Sequence, residues 1–310
     1  MKKLALLLGA LTLVSGAAYA KEVVPVVEEV AVVEEAPVTA PTLTVRYVGQ
    51  GLEIDNTSGD KADIGEDVML SQHIGLAYGD DWTFDLMARK SWLMDTDDGI
   101  HSNGNYRIDL DAWRHFDNYS LGFRWRQQNN MDRYYLRTKY AYGMFSGNID
   151  VAYQSNNGGN GTTDAYYVEM MPVKLTVGPV TLGYYFEADT WGIDTKESDG
   201  FEHKYRQQLR VSAPIYTGEK LSLGLEYRWQ FDTDVEYDEK YATKGWDEED
   251  VNHIVVLSAN YAVTENLSVG GYYQYEMREW NSYNADGSRA DKDKADNYYG
   301  EFFVGWTYTF

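Results

Sequence analysis

The chain has 310 residues, no cysteine, 27 tyrosines and a formal charge of −22. The missing cysteines exclude a disulfide framework, a thiolate metal site and a lipidated cysteine, and the acidic balance argues against a nucleic-acid partner, which would need a basic face. Aromatics make up 15% of the residues while mean hydropathy is negative, which excludes a bundle of membrane helices and suits a β-barrel with aromatic girdles.

Residues 1–20 read as a secretory signal peptide: Lys2 and Lys3, an apolar stretch from Leu4 to Val14, then Ala18 and Ala20 before the expected cut. Residues 21–41 are almost entirely Val, Glu, Ala and Pro. Pro25, Pro37 and Pro41, with the pairs Glu28–Glu29 and Glu34–Glu35, disfavour both helix and central strand. This stretch is expected to be a flexible periplasmic segment ahead of a barrel over 42–310.

From Leu43 onward, alternating segments recur between turn-rich links. The expected strands are 43–54, 66–78, 82–94, 105–116, 119–128, 132–142, 145–155, 163–177, 180–190, 201–215, 221–232, 249–261, 267–280 and 297–310. Apolar sets such as Tyr119, Leu121, Phe123, Trp125 and Leu221, Leu223, Leu225, Tyr227 alternate with polar or small residues, as a strand with one face in lipid requires. The final strand repeats the pattern with Phe302, Val304, Trp306, Tyr308 and Phe310, broken only by Phe303. A strand that ends on an aromatic in this way resembles the last strand of Gram-negative outer-membrane barrel proteins, and the resemblance implies that Trp306, Tyr308 and Phe310 carry the signal for the barrel-assembly machinery.

Links alternate in length. Short ones at 79–81, 117–118, 143–144, 178–179 and 262–266 hold Gly, Pro, Asn and Asp. Long ones are expected at 95–104, 156–162, 191–200, 233–248 and 281–296. In such barrels short turns face the periplasm, which places both termini there. The link at 129–131 is too short for this scheme, so a twelve-strand count stands beside fourteen. The fold class is thus all-β: a transmembrane antiparallel up-and-down barrel.

The face opposite the apolar one is charged. Its third to sixth strands carry Arg89, Arg107, Arg124, Arg126, Arg133, Arg137 and Lys139 among Asp85, Asp109 and Asp111. The seventh to ninth carry Asp150, Glu169, Glu187 and Asp189; the tenth is basic again with Lys204, Arg206 and Arg210, and Glu226 follows beside Arg228. Unpaired buried ions cost several kcal/mol each, so such density calls for water or for mutual pairing. The basic and acidic residues, Glu169, Glu187 and Glu226 included, are the candidate pore-lining contacts for solute.

The signal peptide, the alternating strands, the terminal aromatic and the arginine-rich lumen together resemble the monomeric outer-membrane porins of Gram-negative bacteria. The nearest types are the fourteen-stranded porin G and the twelve-stranded oligogalacturonate-specific porins. The resemblance covers 43–310 at the level of architecture, and no short motif carries a functional residue across. It implies a monomer in the outer membrane, in contact with lipid and lipopolysaccharide, that passes small hydrophilic solutes passively, with acidic oligosaccharides favoured and no cofactor. The rival reading is an adhesin or receptor acting through outer loops such as 233–248. A catalytic reading is weak. His73, His101, His115, His203 and His253 are scattered, and neither a GxSxG elbow nor an HExxH helix is present. No metal or catalytic residue is assigned.

Overall fold

In the computed structural model, the described residues are 41–57, 64–95, 99–129, 131–156, 164–191, 200–238 and 240–310. The expected signal peptide and nearly all of the segment after it lie outside them. The described chain forms fourteen strands: β1 (Leu43–Thr57), β2 (Ile64–Tyr78), β3 (Trp82–Asp95), β4 (Gly99–His115), β5 (Tyr119–Gln128), β6 (Met131–Tyr142), β7 (Phe145–Ser155), β8 (Ala165–Val177), β9 (Val180–Trp191), β10 (Phe201–Thr217), β11 (Leu221–Tyr237), β12 (Trp246–Ala262), β13 (Leu267–Tyr283) and β14 (Asn297–Thr309). Each pairs antiparallel with its sequence neighbour. β1 pairs with β14, from Tyr47 opposite Thr309 to Thr57 opposite Tyr299, and this closes the barrel. Closure leaves no sheet edge unpaired, the condition for strands to cross a bilayer.

The fourteen-strand count holds, and the doubtful link is a genuine hairpin. β5 runs into β6 through residues 129–130, with Asn129 at φ 53°, a left-handed conformation that Asn tolerates. The opposite end uses two-residue turns whose first residue is Gly143 (φ 59°) or Gly178 (φ 58°). Met144 and Pro179 have no positive φ, which matches a type II′ hairpin.

Several strands outrun the sequence expectation at the end with the long links. β4 begins at Gly99 rather than 105, β11 continues to Tyr237, β12 starts at Trp246 and β13 reaches Tyr283. The long links at 95–104, 233–248 and 281–296 are correspondingly shorter.

The outer face is apolar and banded. Exposed Leu86, Leu110, Leu136, Leu225 and Leu257 form its middle, with Leu225 directly opposite Leu257. Tyr78, Trp82, Tyr119, Tyr142 and Tyr308 ring the short-turn side, and Tyr106, Tyr134, Tyr153, Tyr166 and Tyr298 ring the other. On β6, Tyr134 and Tyr142 are separated by about 21 Å of depth at ~3.4 Å per residue and ~40° tilt, close to the ~25 Å apolar band of outer-membrane barrels. Phe303, the break in the terminal pattern, turns inward and stacks on Tyr272 at 5.4 Å, over the position where Gly51 leaves room.

Candidate functional site

The inner face is where the chemistry lies. Register decides which charges meet. β4 and β5 set Asp109 opposite Arg126 and Asp111 opposite Arg124, and β6 and β7 set Arg137 opposite Asp150. Asp109 is a hub. Arg126 grips it with Nε and Nη2, both at 2.8 Å, Arg107 on its own strand donates from Nε at 3.0 Å and from Nη2, and Arg124 Nη1 stands 3.9 Å away. Asp111 accepts from Arg124 Nε at 2.8 Å and from Arg137 Nη1, while Arg137 Nε reaches Asp150 at 2.9 Å. Paired forks of this kind are the strong form of charged hydrogen bond.

The basic network closes around Tyr135, which is fully buried. Its hydroxyl accepts from Arg126 Nη1 (2.9 Å) and Arg133 Nη1 (3.1 Å), and the guanidinium carbons of Arg124, Arg126 and Arg133 lie 5.2–5.9 Å from its ring centre. Arg133 also binds Gln154 and lies over Tyr167 at 4.2 Å. Trp113 does the same lower down for Arg137 (4.8 Å) and Lys139 (4.3 Å). Ring faces held against cations account for part of the tyrosine excess.

Around the rest of the wall the sign alternates. β7–β9 gather Asp150, Glu169 and Glu187, with Asp150 directly opposite Glu169 and Glu169 directly opposite Glu187. The hydroxyls of Tyr167 and Tyr185 sit between the two glutamates, each within 3.0–3.3 Å of both. β10 and β11 turn basic. Arg206 Nη1 is 3.6 Å from Glu187, Arg210 lies over the Tyr185 ring at 3.6 Å, and Arg228 donates to Glu226 and, at 3.2 Å, to Gln274. β12–β14 and β1 turn acidic again with Glu249, Glu276, Glu301, Glu53 and Asp55, among which Arg278 bridges Glu276 (2.6 Å) and Glu249 (3.7 Å). Arg89 on β3 reaches back to Glu53 at 3.7 Å.

All twelve candidate lumen residues therefore lie on the inner face, but they differ in accessibility. Arg126, Arg107, Arg137 and Arg133 are 0–3% exposed, and Arg89, Arg124, Arg210, Glu169 and Glu187 are also buried. Lys139, Arg206 and Glu226 keep intermediate exposure. The ion pairs just described join residues on one strand or on strands no more than two apart, so they run along the wall. Trp306, Tyr308 and Phe310 sit on the outer face, Tyr308 edge-on to Phe310 at 5.1 Å. Sequence reading missed Tyr135, Tyr167, Tyr185 and Trp113 as inward groups. Their parity was the available signal, since Tyr135 falls between Arg133 and Arg137 on one face of β6.

Of the five histidines, His101 is exposed, and Asp97 and Asp98 lie outside the described residues. His73 contacts Ser71, His115 contacts Thr83 and Ser120, His203 contacts Asp234, and His253 contacts Tyr227 on the outer face.

A closed antiparallel barrel with an apolar, aromatic-edged outside and a charged inside decides the architecture. It is that of a porin-like outer-membrane β-barrel. No protein-family model matches the sequence, and no curated protein does. Solved structures do match in shape. The outer-membrane protein OmpT of Vibrio cholerae is 12% identical, with 88% of this chain and 99% of that one covered at a TM-score of 0.45. An anion-selective porin from Comamonas acidovorans is 11% identical, with 87% and 100% covered at 0.44. The outer-membrane channel DcaP of Acinetobacter baumannii is 10% identical, with 87% and 98% covered at 0.43.

Proposed function

We propose that the protein is a passive channel of the outer membrane for small hydrophilic solutes, with acidic sugars favoured over neutral ones. One observation carries this reading. The ion pairs of the inner face join residues of one strand or of strands no more than two apart, as Arg126 with Asp109 and Arg137 with Asp150 do, so they run along the wall and leave the space inside the ring of fourteen strands unbridged. A cylinder of fourteen strands at ~4.8 Å spacing and ~40° tilt is roughly 28 Å across, wider than the filled core that about eight strands give.

The buried arginines fix the wall and its field. The half-buried cations Lys139 and Arg206 offer the charge that a passing carboxylate meets. In this reading residues 1–20 are removed on export, both termini lie in the periplasm, the Trp306, Tyr308, Phe310 edge is read by the assembly machinery, and the barrel works as a monomer among lipid and lipopolysaccharide.

Liposome swelling tests the preference. Vesicles carrying the refolded barrel are expected to swell faster in acidic disaccharides than in neutral ones of equal size. Lys139→Ala with Arg206→Ala should remove that difference while leaving the neutral rate unchanged. Equal rates in the unaltered protein would remove the anionic preference, and a folded barrel that passes neither sugar would remove the channel.

A further inference from the structure

The seam that closes the barrel carries a group of residues that solute passage does not call for. The β1–β14 register sets Asp55 directly opposite Glu301, and Glu53 lies two residues before Asp55 on the same inward face. One carboxylate oxygen from each of the three lies within 4.8 Å of the others, and the three side chains are 4%, 1% and 1% exposed. On the far side of Asp55, β2 places Asp67 opposite it. Like charges directly across a ladder weaken it, and these lie where the first strand must hold the last.

The protein's own groups compensate for part of this charge. Arg89 Nη1 is 3.7 Å from Glu53, Tyr299 hydrogen-bonds Asp55, and the Tyr272 hydroxyl donates to Glu301 Oε1. The other oxygen of Glu301, Oε2, is buried and accepts no hydrogen bond among the described residues. A buried carboxylate oxygen without a donor, gathered with two further carboxylates, offers part of the oxygen shell that a hard cation takes. Calcium binds oxygen at about 2.3–2.6 Å, so oxygens on opposite sides of one ion stand roughly 5 Å apart, close to the spread of this group. The set holds carboxylates and phenols and no sulfur, which suits calcium better than softer metals.

We infer that Glu53, Asp55 and Glu301 bind a divalent cation of the calcium class, which ties the first strand to the last. The site serves closure of the barrel and stands whether or not the lumen conducts.

Terbium(III), a luminescent stand-in for calcium, tests this on the refolded full chain in micelles, because Tyr272 and Tyr299 lie close enough to sensitise it. Expected is tyrosine-sensitised emission that saturates, that calcium displaces, and that weakens roughly tenfold or more in affinity in Asp55→Asn with Glu301→Gln, where two of the three ligand charges are lost. A second acidic group, Glu202, His203 and Glu236 at the rim, is the control; Glu236→Gln should leave the saturable phase in place. Should the double variant fail to fold, the unaltered barrel decides the matter, with a higher melting temperature in calcium than in chelator expected by mass action. Undiminished terbium affinity in the folded double variant, or an unaltered barrel whose melting and emission ignore calcium, overturns the site.

Discussion

Two stretches of the inner wall bury charge and handle it in different ways. On β4–β6 each carboxylate is shared between guanidiniums, Asp109 among Arg107, Arg124 and Arg126, and Asp111 between Arg124 and Arg137. On β8 and β9, Glu169 and Glu187 oppose each other, and what stands between them is a pair of tyrosine hydroxyls. Two hydroxyls have two protons to donate, too few for four carboxylate oxygens. The first stretch is held by opposite charges and is rigid by construction. The second is an acidic patch, held against the lumen by Tyr167 and Tyr185 and drawn toward Arg206. Pairing serves the wall in one place, and segregation of charge serves the field in the other.

The difference is open to mutation, and the largest effect belongs to the paired stretch. Asp109→Ala leaves three guanidiniums crowded without their shared anion, and denaturant unfolding in micelles should show a loss of about 3–5 kcal/mol. Tyr135→Phe removes the acceptor for Arg126 and Arg133 and should cost about 1.5–3 kcal/mol, since both donors are charged. Glu169→Gln should behave in the opposite sense. Relieving one of two apposed carboxylates is expected to change stability by less than ~1 kcal/mol, or to raise it. If Glu169→Gln proves as costly as Asp109→Ala, the contrast between the stretches is lost.

The smallest effect lies beyond the wall, where the link between β13 and β14 folds back on the end of β13. There the Ser282 backbone N–H donates to Asp293 at 2.9 Å, and Arg289 stands beside it, which holds the Asp293 carboxyl below its usual range. A depressed pKa means the added order is complete above the ordinary aspartate value of about 4 and is lost as pH falls through the lower folded value. Protection of the Ser282 amide from hydrogen exchange should therefore fade only in acid, with the barrel itself unmoved.

Most of this fold was legible because a strand with lipid on one side and charge on the other must alternate with period two. β5 and β7 match the expected bounds residue for residue. The ends of β4, β11, β12 and β13 were not legible. Beyond the aromatic ring the alternation fades, as in Asp232, Thr233, Asp234 on β11, and the periodic signal is lost although the ladder continues. The inward residues were legible from parity for the same reason, down to Glu226 and Arg228. Which charge meets which was not. A shift of one residue in any strand would turn its arginines outward, and the bulges on β8 and β12 shift register in ways no local pattern announces. The hub at Asp109 and the acid group at the seam both depend on that register.

Single-channel recording in planar bilayers tests the central claim most directly, that charge is held on the wall and the lumen stays open. The refolded barrel is expected to show a steady open conductance, with a reversal potential in a salt gradient that moves toward cation selectivity in Lys139→Ala with Arg206→Ala. A barrel shown to be folded and inserted, yet closed to ions at every voltage, would contradict the account.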